Sequence, residues 1–136
     1  MHPTKLLRKD APAPPASKPR LLLVSFEKYE KGNPFCLSIC EERSVKSFTD
    51  CLRKICSMTL FMLYETSRKG KGKTGLSYTP YSDDSLKGAK RPDNIPASQR
   101  ICGVREGDDD RLFGYSEDHV FFVIWFDSHH KVVPLS

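Results

Sequence analysis

The sequence predicts an α+β domain, and three observations predict it. One segment in the first half carries apolar residues at helical spacing, the last third is made of apolar or alternating runs of strand length, and a long Gly- and Pro-rich stretch separates them. The expected order is an N-terminal strand, one or two helices, a long loop at about 67–97 and a C-terminal antiparallel meander sheet. Hydrophobic residues at 38% and charged residues at 29% give such a domain a core without covalent staples.

Residues 1–20 hold Pro3, Pro12, Pro14, Pro15 and Pro19 among Ala, Lys and Arg, a composition that buries no core, so they are expected to be a disordered basic arm. That leaves roughly 115 residues, 21–136, for one domain. Leu21 to Tyr29 alternates after a short apolar run and reads as a half-buried strand, ended by Gly32, Asn33 and Pro34. Ser44 is the expected N-cap of an amphipathic helix whose core face is Val45, Phe48, Leu52 and Ile55. Ser57-Met58-Thr59 reads as a break and a new cap, followed by a short second helix over Leu60 to Tyr64.

From Ser67 to Ala97 apolar content falls while Gly70, Gly72, Gly75, Pro80, Gly88, Pro92 and Pro96 accumulate, which predicts a loop. Strands are expected at Arg100–Arg105, Arg111–Tyr115, Val120–Asp127 and Lys131–Leu135, with a turn at Ser116-Glu117-Asp118-His119. Val120 to Phe126 is apolar at every position, as befits a central strand covered on both faces, and Arg111–Tyr115 is its expected hairpin partner.

Five cysteines, an odd number without disulfide-framework spacing, point to a reducing compartment. The longest apolar run is too short to span a bilayer and no secretory h-region is present, so a cytoplasmic protein without membrane contact is expected. A net charge of +5 favours a polyanionic partner, RNA or an acidic protein.

Gly70-Lys71-Gly72-Lys73-Thr74 has the ending of a phosphate-binding loop, but Ser67 stands where the first glycine is needed and the preceding segment reads as helix. Arg68, Lys69, Lys71 and Lys73 are better read as a basic loop that contacts a phosphate backbone. Cys36, Cys40, Cys51 and Cys56 lack the spacing of a zinc finger or ribbon. Cys51 and Cys56 are read as small buried hydrophobes on the helix, and neither metal nor cofactor is expected.

In Asp127-Ser128-His129-His130, at the end of the central strand, His130 is the candidate acid/base, and Asp127 either orients it or, more in keeping with Asp-Ser chemistry, anchors the turn. Arg100, Arg105 and Arg111 fall on neighbouring strands, where two on one face would grip a phosphate. The alternative pairs them with Glu106, Asp108, Asp109 and Asp110. Tyr115 and Tyr78 are the aromatic candidates for base stacking or donation to phosphate.

The stretch from Arg111 to Pro134, RLFGYSEDHVFFVIWFDSHHKVVP, resembles the ending of a group of small bacterial proteins with the pattern G-R-x-x-G-F/Y, a short turn, then F-Y/H-I/V-I/V-W-F/L-D-x-x-H/F. Ser25-Phe26-Glu27-Lys28-Tyr29 and the run from Leu52 to Thr59 are similar to the front of the same group. Asp110 departs from the pattern, which has glycine before the arginine. The resemblance implies the α+β fold and supplies no reaction. In architecture and charge the chain is also similar to RelE-type bacterial toxins, small basic ribonucleases, which implies RNA cleavage and an antitoxin partner.

The expectation is therefore an RNA-binding protein that acts as a metal-independent endoribonuclease of toxin type. His130 would be acid/base, Arg111 and Arg100 would hold the phosphate, and Tyr115 would stack or donate. Arg68, Lys69, Lys71, Lys73 and Arg105 would add backbone contacts. The alternative is a non-catalytic interaction module that meets an acidic protein such as an antitoxin.

Overall fold

A computed structural model describes residues 20–31, 35–66, 76–105 and 110–134. The fold is α+β, as the sequence predicts. Strand β1 (Leu23–Ser25) is followed by helices α1 (Glu42–Cys56) and α2 (Leu60–Glu65), then by β2 (Thr79–Pro80), β3 (Cys102–Val104), β4 (Arg111–Glu117) and β5 (Val120–Asp127). They form one five-stranded sheet of order β1-β5-β4-β3-β2.

β2 to β5 are the predicted antiparallel meander, with β2 contributed by the stretch expected to be loop. β1 instead pairs parallel to β5, Leu23 opposite Val120, so the sheet is mixed. The two helices supply the crossover that parallel pairing requires. β4 and β5 turn through Asp118-His119, with Asp118 at φ 57°, a left-handed conformation that aspartate tolerates better than most side chains. The strand thus runs two residues beyond the predicted Tyr115.

β5 lies between β1 and β4, and residues from it enter two separate cores. Phe121, Val123 and Phe126 face the helices, where they meet Phe48, Cys51, Ile55 and Leu63. Ile124 and Trp125 both turn to the opposite face, because the pairing slips there: Phe113 opposes Trp125 while Gly114 opposes Val123. Such a bulge puts two consecutive side chains on one face and increases the local twist.

α1 buries Ser44, Phe48, Cys51 and Ile55 at helical spacing and exposes Lys46 and Asp50, which pair across one turn at 3.1 Å. Its N-cap is Glu41, a correction to the expected Ser44. Ser44 lies within the first turn, buried, and its hydroxyl donates to Asp110 Oδ1 at 2.8 Å. The residue that departs from the glycine of the resembling group therefore ties α1 to the start of β4. Thr59 caps α2 as predicted, its Oγ1 accepting the Met62 N–H, a bond of roughly 1 kcal/mol.

The second face is closed by irregular chain. Leu86, Pro92, Ile95 and Ile101 are buried there with Phe35 and Val132. Arg91 fastens this cover: Nε and Nη2 donate to the Asp83 carboxylate and Nη1 to the Pro96 carbonyl. Gly88 fits it to the end of the chain, since a Cβ there would stand 1.6 Å from the Lys131 carbonyl oxygen.

Three further expectations are corrected. Residues 131–134 form no strand, because Asp127 takes the backbone N–H groups that a strand would offer its neighbour. The predicted strand 100–105 shortens to β3. Cys56 is exposed, since it falls on the outer side of the last helical turn, whereas Cys51 is buried. Residues 1–19 of the expected arm and 67–75 of the expected loop lie outside the described residues. Among the described residues no helix is long and apolar enough to cross a membrane.

Candidate functional site

Arg111 opens β4 on the face closed by irregular chain, the same face as Phe113 and Tyr115. β3 presents Gly103 beneath it. A Cβ at Gly103 would come to 3.0 Å from Arg111 Cδ and 3.1 Å from Tyr81 Cε2, so both side chains lie across the strand where it carries no side chain of its own. Arg111 Nη1 donates to the Tyr81 hydroxyl at 2.9 Å, with its guanidinium carbon 6.0 Å from the ring centroid. Tyr81 is fixed in turn by its N–H to the Ile101 carbonyl and by ring contact with Phe113. A half-buried arginine is thus held in one pose by a hydroxyl that accepts from one of its five N–H groups.

Tyr81 also lines a polar cleft of about 220 Å³ with Asp83, Arg91, Ser98, Gln99 and Arg100. Arg91 is committed to Asp83 and the Pro96 carbonyl, and its side chain is only 14% exposed, so it stiffens the wall. Its hydrogen bonds hold the Asp83 carboxyl below the usual carboxylate range against an opposing effect of burial, with the Arg91 and Arg100 charges acting in the same direction as the bonds. Arg100 stands exposed at the rim. The cleft therefore offers the exposed Arg100 guanidinium and, through Tyr81, adjoins the fixed Arg111–Tyr81 pair, an arrangement of donors suited to a phosphate group.

His130 follows β5 at the same end of the sheet, three residues past Asp127, the cross-strand partner of Arg111. Its backbone is left-handed at φ 56°, and Asp127 holds it so. Oδ1 accepts from the N–H groups of His129 and Lys131 at 3.2 and 3.1 Å, and Oδ2 from Val132 at 2.8 Å. Asp127, 2% exposed, thus has the turn-anchoring role, its bonds going to backbone N–H groups on both sides of His130.

Of the sequence-predicted residues, Arg100 lines the cleft, Arg111 adjoins it only through its bond to Tyr81, and His130 lies at the Arg111 end of the sheet. Tyr115 is not with them. It lies four residues along β4 from Arg111, roughly 13 Å away, buried and stacked on Phe122. Burial raises its phenol pKa, with Glu117 and Glu27 adding to the effect. Arg105 is half-buried just after β3, its N–H bound to the Leu76 carbonyl. Tyr78 packs against Tyr64 on the helix side of the sheet, its phenol raised mainly by burial. Arg68, Lys69, Lys71 and Lys73 lie outside the described residues.

Tyr81, Arg91, Asp83 and Gly103 carry the site without having been singled out in the sequence. Tyr81 owes its role to a partner thirty positions along the chain, and Asp83 and Arg91 to each other across eight positions of irregular chain; only Gly103, an isolated glycine in a predicted strand, gave a local signal of close approach. Among the described residues no three His, Cys, Asp or Glu side chains gather as metal ligands. Comparison with protein-family models, curated proteins and solved structures finds no match.

Proposed function

We propose that this protein binds RNA, with a backbone phosphate seated between Arg100 and the Arg111–Tyr81 pair. The observation that carries the reading is the clamped geometry of Arg111, half-buried, lying over Gly103 and fixed by the Tyr81 hydroxyl beside a cleft that Arg100 enters. A guanidinium held in place loses little side-chain entropy on meeting an anion, and a net charge of +5 attracts a polyanion from a distance. Five free thiols fit a cytoplasmic location for this activity.

A second reading is metal-independent cleavage of the bound strand, favoured by the placement of His130 at the Arg111 end of the sheet. A base takes the 2′-hydroxyl proton, the oxygen attacks the adjacent phosphorus, Arg111 stabilises the charge that develops, and an acid protonates the departing 5′-oxygen. His130 serves one of the proton transfers.

The test incubates the protein and Arg111→Ala with end-labelled single-stranded and hairpin RNA in excess EDTA, reading binding and cleavage together. Binding that weakens in the variant is the expected outcome, and cleavage lost in it and in His130→Ala supports the second reading. Absence of binding refutes both and leaves an interaction module for an acidic protein, such as an antitoxin.

A further inference from the structure

The irregular chain that closes the second face of the sheet leaves part of that face bare. Leu23 lies between Leu22 and Val24, which pack on the helix side, so its side chain points to the second face, where it is 57% exposed. Its partner Val120 and the next residue on that face of β5, Phe122, are half-buried beside it. Two carboxylates rim this apolar patch. Glu117 is the cross-strand partner of Val120, and Glu27 lies two residues past Ser25, the partner of Phe122. Both are exposed, and both act on the phenol of Tyr115, which stacks on Phe122. Among the described residues neither is joined to a cation, in a chain whose net charge is +5. Arg20 enters at the edge of the patch, its Nη2 meeting His119 Nε2 at 3.0 Å in the turn between Glu117 and Val120. A contiguous apolar patch with a polar rim marks a docking surface, where scattered exposed apolar residues do not.

We propose that the segment Lys5-Leu6-Leu7-Arg8-Lys9 of the same chain docks on this patch, its leucines covering Leu23, Val120 and Phe122 and its cations meeting Glu27 and Glu117. The segment lies outside the described residues, and its chemistry and tether are what argue for it. A pair of leucines between cations is the complement of an apolar centre with an acidic rim. Leu6 and Leu7 are also the only Leu, Ile, Val, Phe, Tyr or Trp residues in 1–19, so no other stretch of that length could cover the patch. Residues 10–19 connect the segment to Arg20, and ten residues reach up to about 33 Å when extended. From Glu117 on β4 across β5 to Leu23 on β1 is two strand spacings, about 10 Å, so the tether is long enough to bring the segment back. A tether this short holds the segment at an effective concentration on the order of millimolar, at which weak contacts suffice. The two carboxylates repel a phosphate backbone, which sets this surface apart from the arginine cleft.

The experiment uses the full chain without RNA. Two-dimensional NMR compares the wild type with Leu6→Ser/Leu7→Ser, and limited trypsin digestion at low salt compares it with Glu27→Gln/Glu117→Gln. Trypsin cuts after Arg8, and the glutamines leave that site unchanged. The serine substitutions should shift the amide signals of Leu23, Val120 and Phe122, while those of Phe48 and Ile55 in the helix-side core stay in place. Loss of two exposed ion pairs should let trypsin cut after Arg8 roughly fivefold faster in the glutamine variant. Unchanged signals at Leu23 and Phe122, with equal cleavage rates, overturn the docking. Protection after Arg8 that fades on dilution would put a second copy's segment on the patch and overturn the assignment to the same chain.

Discussion

Replacing Asp127 with alanine separates a structural from a catalytic role for this carboxylate. Three backbone N–H groups lose their acceptor, of which Val132's is the shortest bond at 2.8 Å and belongs to a buried residue. A hydrogen bond to a charged group is worth about 1.5–3 kcal/mol. The three are not additive, and the N–H groups of exposed His129 and Lys131 regain water, so the expected loss is about 3 kcal/mol, dominated by Val132. The left-handed His130 also loses what holds it there. Urea denaturation should show this loss with an unchanged m-value, and the melting temperature should fall by roughly 10 °C. Asp127→Asn, which keeps one acceptor oxygen, should lose about half as much. Stability of Asp127→Ala within about 0.5 kcal/mol of wild type refutes the anchoring role, because that is the range of surface substitutions away from any structural feature.

Gly103→Val inserts a side chain where Arg111 and Tyr81 cross β3, without changing any charge. RNA affinity should fall by at least about tenfold while circular dichroism stays native; unchanged affinity would separate binding from the Arg111–Tyr81 geometry. Thiol labelling should distinguish the cysteines: exposed Cys56 reacts in the native protein, whereas Cys102, buried beneath β4 and pushed up to about 12, reacts only on unfolding. Equal labelling rates for the two in native conditions, read by peptide mass spectrometry, would contradict this packing. Asp83, lowered by Arg91, contributes stability that is complete above its unfolded pKa of roughly 3.9 and is lost as pH falls through the lower folded value. Amide exchange around Ile95 and Gln99 should therefore be uniform in protection from pH 5 to 8 after correction for intrinsic rate, and rise only below about pH 4.

The helices and the β4–β5 hairpin were legible because their signals are local. Phe48 and Ile55 mark a helical face, Thr59 a cap, and the run from Val120 to Phe126 a strand apolar on both sides. That same continuity hid the bulge, since a run in which every residue is apolar keeps no record of which face Ile124 and Trp125 take. The parallel pairing of β1 was not legible either, because a three-residue strand carries no mark of its partner's direction. Around Leu86 and Ile95, single apolar residues among Gly, Pro and Lys have no period, and the segment reads as solvated loop although it covers half the core. At the site, arginine and histidine types pointed to phosphate chemistry. Tyr81 and Asp83, which give Arg111 and Arg91 their poses, became visible only through contacts thirty and eight positions along the chain.

The most direct measurement is the salt dependence of RNA binding by wild type, Arg100→Ala and Arg111→Ala, taken as the slope of log Kobs against log salt concentration. If each arginine meets a phosphate, each substitution weakens binding for every sequence and makes the slope shallower by roughly 0.7, the single-strand value for one lost contact. Variants that bind as tightly as wild type with its slope would show that RNA, if bound, is held elsewhere.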